Sequence, residues 1–369
     1  MKRVAVLGST GSIGRQAVEV IRANSGSLVV HSLVCNRNVD LLAAQSREFP
    51  GAVCGVLDPA ASVPAGFLQG AGVTEEAVEG CDIVLNAFTG FAGLRASLLA
   101  ARLEIPLALA NKESLVTGGC LLADHIRKGL LSPVDSEHST IARCLAGEAV
   151  RPLGVTLTAS GGALRDLPLS SLADASPDMV LAHPTWSMGP RITVDSATLV
   201  NKAFEVIEAR WLFPDLPVDA VLHPQSIVHS LVRLADGSWK ALTGSPDMRV
   251  PIQYALLGGS GEPGLSMNDG PLDWPSLTFG RIDPARYPAY SIVIAAGELG
   301  GAAPVAANAA DEVAVEAFLA GRIGFGRIPE VIENALGKAG AAPVSSYGDV
   351  LRADEEARAR SRAFLGERC

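Results

Sequence analysis

The sequence has few charged and aromatic residues and no excess of basic ones. Charged residues make up 19% and aromatic residues 5% of its 369 residues, and 39 acidic against 30 basic side chains give a formal net charge of -9. Affinity for a nucleic-acid backbone comes mainly from clustered Lys and Arg. We therefore expect no nucleic-acid partner, and we expect any anionic ligand to be small and held by a few local groups.

Cysteine is also scarce, and long apolar runs are absent. The six cysteines form no C-x-x-C pair and no cluster with histidine at zinc spacing, which argues against a disulfide framework and a structural zinc site. The apolar stretch after Arg3 is too short for a signal peptide, and no run of about 18 apolar residues could span a bilayer. These absences predict a cytoplasmic protein without a membrane partner.

The pattern that is present predicts an α/β protein. Short runs rich in β-branched residues alternate with helical patterns over the first part of the chain, which is typical of a Rossmann-like, doubly wound parallel sheet. A central α+β domain and an Ala-rich, α-helical C-terminal domain follow. We predict strands at 4–7, 28–34, 53–57, 83–86, 106–109, 155–159, 220–222, 226–232 and 239–242, and helices at 197–211, 311–319, 328–336 and 353–365. The predicted domains are 1–137, 138–257 and 288–369, with a connector at 258–287.

A glycine-rich loop follows the first predicted strand. Gly8, Gly11 and Gly14 have the spacing G-x-x-G-x-x-G, and a helical pattern begins at the loop's end. Glycines let a pyrophosphate approach the backbone, and amides at a helix start bind its charge. A tight structural turn is the alternative, but the position of the loop between strand and helix favours a dinucleotide.

The end of the second predicted strand distinguishes the two nicotinamide cofactors. An acidic side chain there favours a free ribose hydroxyl, whereas a basic one can bind a 2′-phosphate. The strand leads into Asn36-Arg37-Asn38, without a carboxylate. This favours NADP(H) over NAD(H), with a solvated Arg37 as the alternative.

Two acidic residues lie close together in the middle of the chain. Asp135 and Glu137 are spaced i and i+2, which in an extended chain places both on one side and suits one shared cation. The alternative is that Asp135 caps a helix.

A third acidic residue lies on the polar face of the helix predicted at 197–211. Glu205 shares that face with Thr198, Asn201 and Lys202, opposite an apolar stripe. A solvated face is the alternative, although the mixture of groups, with Ser196 nearby, is typical of a phosphate-binding set. Three carboxylates without a soft ligand would select Mg²⁺ or Mn²⁺.

Three smaller motifs each allow two interpretations. The loop Ser160-Gly161-Gly162 could be an anion-binding nest or an ordinary turn. Lys112 follows a predicted strand and could bind substrate or start a solvated helix. The segment 183–189, which contains Trp186 and Met188, has the composition of a mobile cover and equally of a packed turn.

Seven motifs together resemble the 1-deoxy-D-xylulose 5-phosphate reductoisomerase family. They are GSTGSIG, ALANKES, PVDSEH, TASGG, HPTWSMG, VDSATLVNKAFEVIEARWLF and HPQSIVHS, in order along the chain. The resemblance implies a homodimer that uses NADPH and a divalent metal, with an N-terminal NADPH-binding domain and a central catalytic domain. It also implies conversion of the sugar phosphate 1-deoxy-D-xylulose 5-phosphate to 2-C-methyl-D-erythritol 4-phosphate, for isoprenoid precursors.

The same resemblance implies a role for individual residues. Cofactor-binding positions are Gly8, Thr10, Gly11, Ser12, Ile13, Asn36, Arg37, Asn38, Asn111, Glu113 and Gly189. Metal ligands are Asp135, Glu137 and Glu205. Substrate contacts are Lys112, Ser136, Ser160, His183, Trp186, Ser196, Asn201, Lys202 and Glu205, and the catalytic set is Lys112, Asp135, Glu137, His183 and Glu205.

Two segments depart from the family pattern. Ala163-Leu164 stands where the family usually has Pro-Phe, and the run 306–312 differs from the usual Leu-Asn-Ala-Ala-Asn-Glu.

The first alternative function is a semialdehyde-dehydrogenase-like reductase, which would need a reactive thiolate. The second is a non-enzymatic NADP-sensing protein, which would need no metal ligands.

Overall fold

The computed structural model describes residues 1–186, 188–260, 270–340 and 342–366. The chain divides into two compact units. The first contains residues 1–111, 122–139 and 247–268, and the second contains residues 112–121, 140–246 and 269–369.

The first unit is built on a seven-stranded sheet of parallel neighbours. Its strands are β1 (Lys2–Leu7), β2 (Leu28–Cys35), β3 (Val53–Val56), β4 (Leu68–Gln69), β5 (Ile83–Asn86), β6 (Leu107–Leu109) and β7 (Leu131–Pro133). Their order is β4-β3-β2-β1-β5-β6-β7. The order reverses direction between β1 and β5, and such a switch point is where doubly wound sheets bind ligands.

Helices cover this sheet. They are α1 (Ser12–Ala23), α2 (Val39–Glu48), α3 (Val73–Val78), α4 (Gly93–Arg102) and α10 (Arg249–Leu257). The apolar face of α1 and the fully buried residues of β1 share one hydrophobic core. Helix α10 joins that core through Ile252, and Asn24 Nδ2 donates to Gln253 Oε1 at 3.0 Å. Helices α5 (Lys112–Arg127) and α6 (Ser136–Leu145) contribute residues to both units.

The second unit contains a four-stranded mixed sheet. Its strands are β8 (Pro152–Ala159), β9 (Val218–Leu222), β10 (Val228–Leu234) and β11 (Trp239–Thr243), in the order β11-β10-β8-β9. Strand β8 pairs in parallel with β9, and the other two pairings are antiparallel.

The helices of the second unit share one hydrophobic core. They are α7 (Pro177–Leu181), α8 (Pro190–Thr198), α9 (Val200–Leu212), α11 (Pro288–Leu299), α12 (Ala302–Leu319), α13 (Ile328–Ala339) and α14 (Tyr347–Phe364). Phe204 of α9 and Phe318 of α12 lie in the same buried cluster. Ala306 is buried beside Ala357, so small side chains let α12 and α14 pack closely. No helix among the described residues combines the length and apolar character needed to cross a membrane.

The predicted fold class is confirmed: a doubly wound parallel sheet is followed by α+β and helical regions. Strands β4 and β7 and helices α7, α10 and α11 were not predicted. The helix predicted at 197–211 is observed as α9, which begins only at Val200, because Leu199 adopts a left-handed conformation with φ of 58° and separates α8 from α9. The three predicted domain boundaries stay predictions, and residues 261–269 of the predicted connector lie outside the described residues.

Candidate active site

The glycine loop makes a close turn between β1 and α1. Gly8 has φ of 89°, and a Cβ there would lie 2.5 Å from the Ala87 carbonyl oxygen. A Cβ on Gly14 would lie 2.1 Å from the Gly8 oxygen. Side chains are therefore excluded at both positions. Gly11 precedes α1 and no side chain caps the helix, so a bound anion could take the place of the missing cap on its first amides.

A reciprocal pair of hydrogen bonds fixes this loop, and the sequence did not point to it. Ser9 Oγ donates to Gln45 Oε1, and Gln45 Nε2 donates to the Ser9 carbonyl oxygen, both at 2.9 Å. Both residues are buried. The pair anchors the loop to α2.

The segment that follows β2 presents a basic side chain to solvent. Arg37 is 80% exposed, and its Nε donates to Asp58 Oδ2 at 2.9 Å. Its guanidinium keeps further donors, which a 2′-phosphate could accept. Asn38 caps α2, because its Oδ1 accepts from the Leu41 amide at 3.2 Å. The sequence analysis considered only the end of β2, so it did not find that Asp58, which follows β3, is the partner of Arg37.

Three further positions implied for the cofactor have a place in the local structure. Asn111 Nδ2 donates to the carbonyl oxygens of Phe88 at 3.1 Å and Gly90 at 2.9 Å. Glu113 accepts from Arg191 at 2.7 Å, and Gly189 is the residue that precedes α8. A cofactor role for these residues stays a prediction.

The shared-cation argument assumed that the segment with Asp135 and Glu137 is extended. The structure shows that it is not. Ser136 begins α6, and Asp135 Oδ1 accepts from the Glu137 amide at 3.1 Å, which is an N-cap. Ser136 Oγ donates to Glu137 Oε2 at 2.6 Å. The alternative, a helix cap, is therefore the observed local structure.

The polar face of α9 is buried. Glu205 and Lys202 are 2% and 4% exposed, so a solvated face is excluded. Glu205 Oε1 accepts from Lys112 Nζ at 2.7 Å and from Asn201 Nδ2 at 2.6 Å, and Lys202 donates to Oε2. Lys112 is only 14% exposed and is not a solvated helix start. The structure thus brings four predicted site residues into contact.

The three predicted metal ligands also converge. One carboxylate oxygen from each of Asp135, Glu137 and Glu205 lies within 4.8 Å of the other two. Three hard oxygen donors at this spacing fit a divalent ion such as Mg²⁺ or Mn²⁺.

The Ser-Gly-Gly loop lies against the helix that carries Ser196. Gly161 and Gly162 have φ of 86° and 70°, and a Cβ on Gly162 would lie 2.7 Å from the Ser196 carbonyl oxygen. Side chains secure the loop: Tyr287 Oη donates to the Gly161 oxygen at 3.0 Å. Leu164, at the position that departs from the family pattern, is buried.

His183 joins this loop to the segment at 183–189. Its Nδ1 accepts from the Thr185 and Trp186 amides at 3.1 and 3.0 Å. The proton of the neutral ring is therefore on Nε2, which donates to Ser160 Oγ at 3.1 Å. Burial, with a smaller contribution from Arg165, lowers the pKa of His183 below its ordinary value.

Trp186, in the same segment, is partly buried. The ring of Trp186 lies edge-on to His229, with centroids 6.2 Å apart. Met188 is partly exposed, and Ser187 lies outside the described residues.

The described cysteines do not provide a reactive thiolate. Burial raises the pKa of Cys54, Cys120 and Cys144, and it raises the pKa of Cys35 and Cys81 to about 11. Cys369 lies outside the described residues. The structure therefore gives no support to a semialdehyde-dehydrogenase-like site.

A doubly wound sheet with a glycine loop at its switch point, together with a carboxylate triad, defines a dinucleotide- and metal-dependent enzyme. Family models match most of the chain: "1-deoxy-D-xylulose 5-phosphate reductoisomerase" at residues 4–119, the C-terminal domain of that family at 131–213, and "DXP reductoisomerase C-terminal domain" at 243–360. The chain belongs to the 1-deoxy-D-xylulose 5-phosphate reductoisomerase family.

Individual relatives agree over the full length. The chain is 43% identical to the reductoisomerase of Moorella thermoacetica, with 98% of each chain covered, and 45% identical to that of Anaeromyxobacter dehalogenans, with 100% of this chain and 98% of the relative covered. Among solved structures it is similar to the Zymomonas mobilis enzyme in complex with NADPH, with a TM-score of 0.89, 36% identity and 99% coverage of each chain. A reductoisomerase in complex with NADPH, fosmidomycin and magnesium has a TM-score of 0.88 and 32% identity, with 99% of this chain and 98% of that chain covered.

Proposed function

We propose that this chain catalyses the NADPH- and divalent-metal-dependent rearrangement and reduction of 1-deoxy-D-xylulose 5-phosphate to 2-C-methyl-D-erythritol 4-phosphate. Membership of the family supports this reaction, as do relatives solved with NADPH and magnesium. The observation that carries it is the convergence of the oxygens of Asp135, Glu137 and Glu205.

Asp135, Glu137 and Glu205 would hold Mg²⁺ or Mn²⁺. A divalent ion bound there supplies Lewis-acid polarisation of the ketone and hydroxyl oxygens of the sugar phosphate. Lys112 and Lys202 place two ammonium groups on Glu205. These contacts hold the Glu205 carboxylate in a fixed position within the second unit.

The glycine loop and the residues after β2 would hold NADPH, which supplies the hydride that reduces the rearranged aldehyde. Thr10, Ser12 and Ile13 lie on the loop or at the start of α1, where backbone amides can bind the pyrophosphate. Arg37 would bind the 2′-phosphate, and Asp58 would limit the rotamers available to it.

Residues of the second unit would bind the sugar phosphate. Ser160, Ser196 and Asn201 offer hydroxyl and amide groups, and Lys202 offers a buried ammonium group. Anchoring the phosphate uses binding energy remote from the reacting carbons to orient them. Trp186 and Met188 would cover the substrate and exclude water.

The homodimer and the cytoplasmic location remain predictions from the sequence. The resemblance supports the homodimer, and cysteine usage supports the location.

The decisive experiment follows NADPH absorbance after addition of 1-deoxy-D-xylulose 5-phosphate, with and without Mg²⁺ or Mn²⁺. We expect NADPH oxidation only when both sugar phosphate and metal are present, and mass spectrometry should identify the methylerythritol product. NADPH binding without turnover would instead indicate an NADP-sensing protein. Turnover abolished by thiol alkylation would favour the semialdehyde-dehydrogenase-like alternative.

A further inference from the structure

A cluster of charged side chains lies between the helices of the second unit, apart from the carboxylate triad. Arg191 of α8 donates to Glu113 Oε1 at 2.7 Å, to Glu312 Oε1 at 2.9 Å and to Asn308 Oδ1 at 3.2 Å. Arg358 of α14 also donates to Glu312, at 2.5 Å. The two guanidinium groups therefore have close partners already.

Two more carboxyl groups lie in this cluster without such a partner. The side chains of Asp195, on α8, and Asp311, on α12, are 7% and 0% exposed. Arg191 approaches them only to 3.7 and 3.6 Å. Both oxygens of Asp311 and Oδ1 of Asp195 are buried and accept no hydrogen bond from the described residues.

Among the described residues of this cluster, carboxyl groups outnumber cations. The charged and titratable groups that face one another are Glu113 of α5, Arg191 and Asp195 of α8, Asp311 and Glu312 of α12, and Asp354 and Arg358 of α14. Buried like charges that lack counterions cannot all ionise. Burial raises the pKa of Asp311 to about 7, and burial and the neighbouring Asp311 carboxyl raise the pKa of Asp195.

We propose that Asp195 and Asp311 share one proton, and that the resulting carboxyl–carboxylate hydrogen bond fixes α8 on α12 and so positions Ser196 for the substrate phosphate. Asp311 is then a positioning residue that acts from the C-terminal helices. The part that concerns Ser196 rests on the proposed function, whereas the shared proton does not.

The chain's geometry explains why α8 would respond to loss of that proton. Asp195 directly precedes Ser196 in α8. The Ser196 carbonyl packs so closely on Gly162 that a side chain at position 162 would collide with it. Two adjacent carboxylates would repel each other across the contact between α8 and α12. Helix α8 also begins at Pro190, next to the segment that covers the substrate.

The test compares the wild type with Asp311→Asn, which keeps the shape and supplies a permanent donor, and with the matched control Glu316→Gln. Glu316 lies on the same helix but is 73% exposed. Thermal unfolding of each full-length chain is measured from about pH 5 to about pH 8.5 without substrate. As the pH rises, we expect the wild type and Glu316→Gln to lose about 5 °C or more of Tm relative to Asp311→Asn. The infrared carbonyl band of a buried protonated carboxyl should be present in the wild type and absent in Asp311→Asn.

Kinetics test the link to the phosphate. Over this pH range, the KM for the sugar phosphate should rise about tenfold more in the wild type than in Asp311→Asn. A factor of about ten is what the loss of one hydrogen bond to a charged group produces. The kcat values of the two proteins should differ little. Parallel stability profiles and no difference in the infrared band would overturn the shared proton. A stability difference without a KM difference would overturn only the positioning of Ser196, and catalytic inactivity would not affect the stability and infrared results.

Discussion

His183 is the side chain whose removal tests most directly how the segment at 183–189 is held. The structure gives it three hydrogen bonds: two accepted at Nδ1 from the Thr185 and Trp186 amides, and one donated from Nε2 to Ser160 Oγ. At about 1 kcal/mol each, their loss in His183→Ala amounts to about 3 kcal/mol. That free energy corresponds to a population of the ordered segment lower by about 100-fold.

We expect His183→Ala to raise the KM for the sugar phosphate and to speed hydrogen exchange at residues 183–189, while the affinity for NADPH stays nearly unchanged. His183→Asn keeps an acceptor that can reach the amides two and three residues on, and should have an intermediate effect. His31→Ala is the matched control, since His31 bonds only to the Glu79 carbonyl in the first unit among the described residues. Unchanged exchange and KM in His183→Ala would refute the reasoning.

The same geometry sets a pH dependence. A proton on Nδ1 would face two backbone N–H donors, so protonation breaks both of those hydrogen bonds. Because burial lowers the pKa of His183 below 6.5, the native segment favours the neutral ring. The hydrogen bonds are therefore fully present above about pH 6.5 and are lost as the pH falls through the lowered pKa. Exchange at Thr185 and Trp186 measured against pH would show this directly.

Three further substitutions test separate parts of the site. Glu205→Gln should abolish turnover and leave NADPH binding intact, and full activity in an assay of NADPH oxidation would contradict the metal assignment. Arg37→Ala should weaken NADPH far more than NADH in titrations followed by fluorescence, whereas equal losses would argue against the 2′-phosphate role. Gly14→Ala should cost about 3 kcal/mol or more of stability and prevent NADPH binding, because its Cβ would lie 2.1 Å from the Gly8 oxygen; a normal melting temperature would contradict this.

The sheet of the first unit was predictable because its signals are local. The strand Ile83–Asn86 is a short apolar run between polar segments and has the predicted bounds. Strands β4 and β7 are two and three residues long, too short to show a periodic pattern. The left-handed Leu199 had no signal either, since that conformation is typical of glycine and costs a leucine energy that only packing can offset.

The partners of the site residues were less predictable than the residues themselves. Periodicity placed Asn201, Lys202 and Glu205 on one face of a helix, but it could not show that the face is buried. The bonds of Ser9 to Gln45 and of Arg37 to Asp58 join residues 36 and 21 positions apart. Such pairs depend on how strands and helices are arranged, which a motif in one segment does not contain.

The acidic pair shows that two interpretations of one motif need not exclude each other. Asp135 caps α6, as the structural alternative required, and its carboxylate nevertheless lies with those of Glu137 and Glu205. The N-terminus of a helix carries a partial positive charge that favours ionised carboxylates. A divalent ion needs the same ionised state. The helix cap thus places Asp135 and Glu137 together at one end of α6, so the cap supports the proposed metal-binding role instead of competing with it.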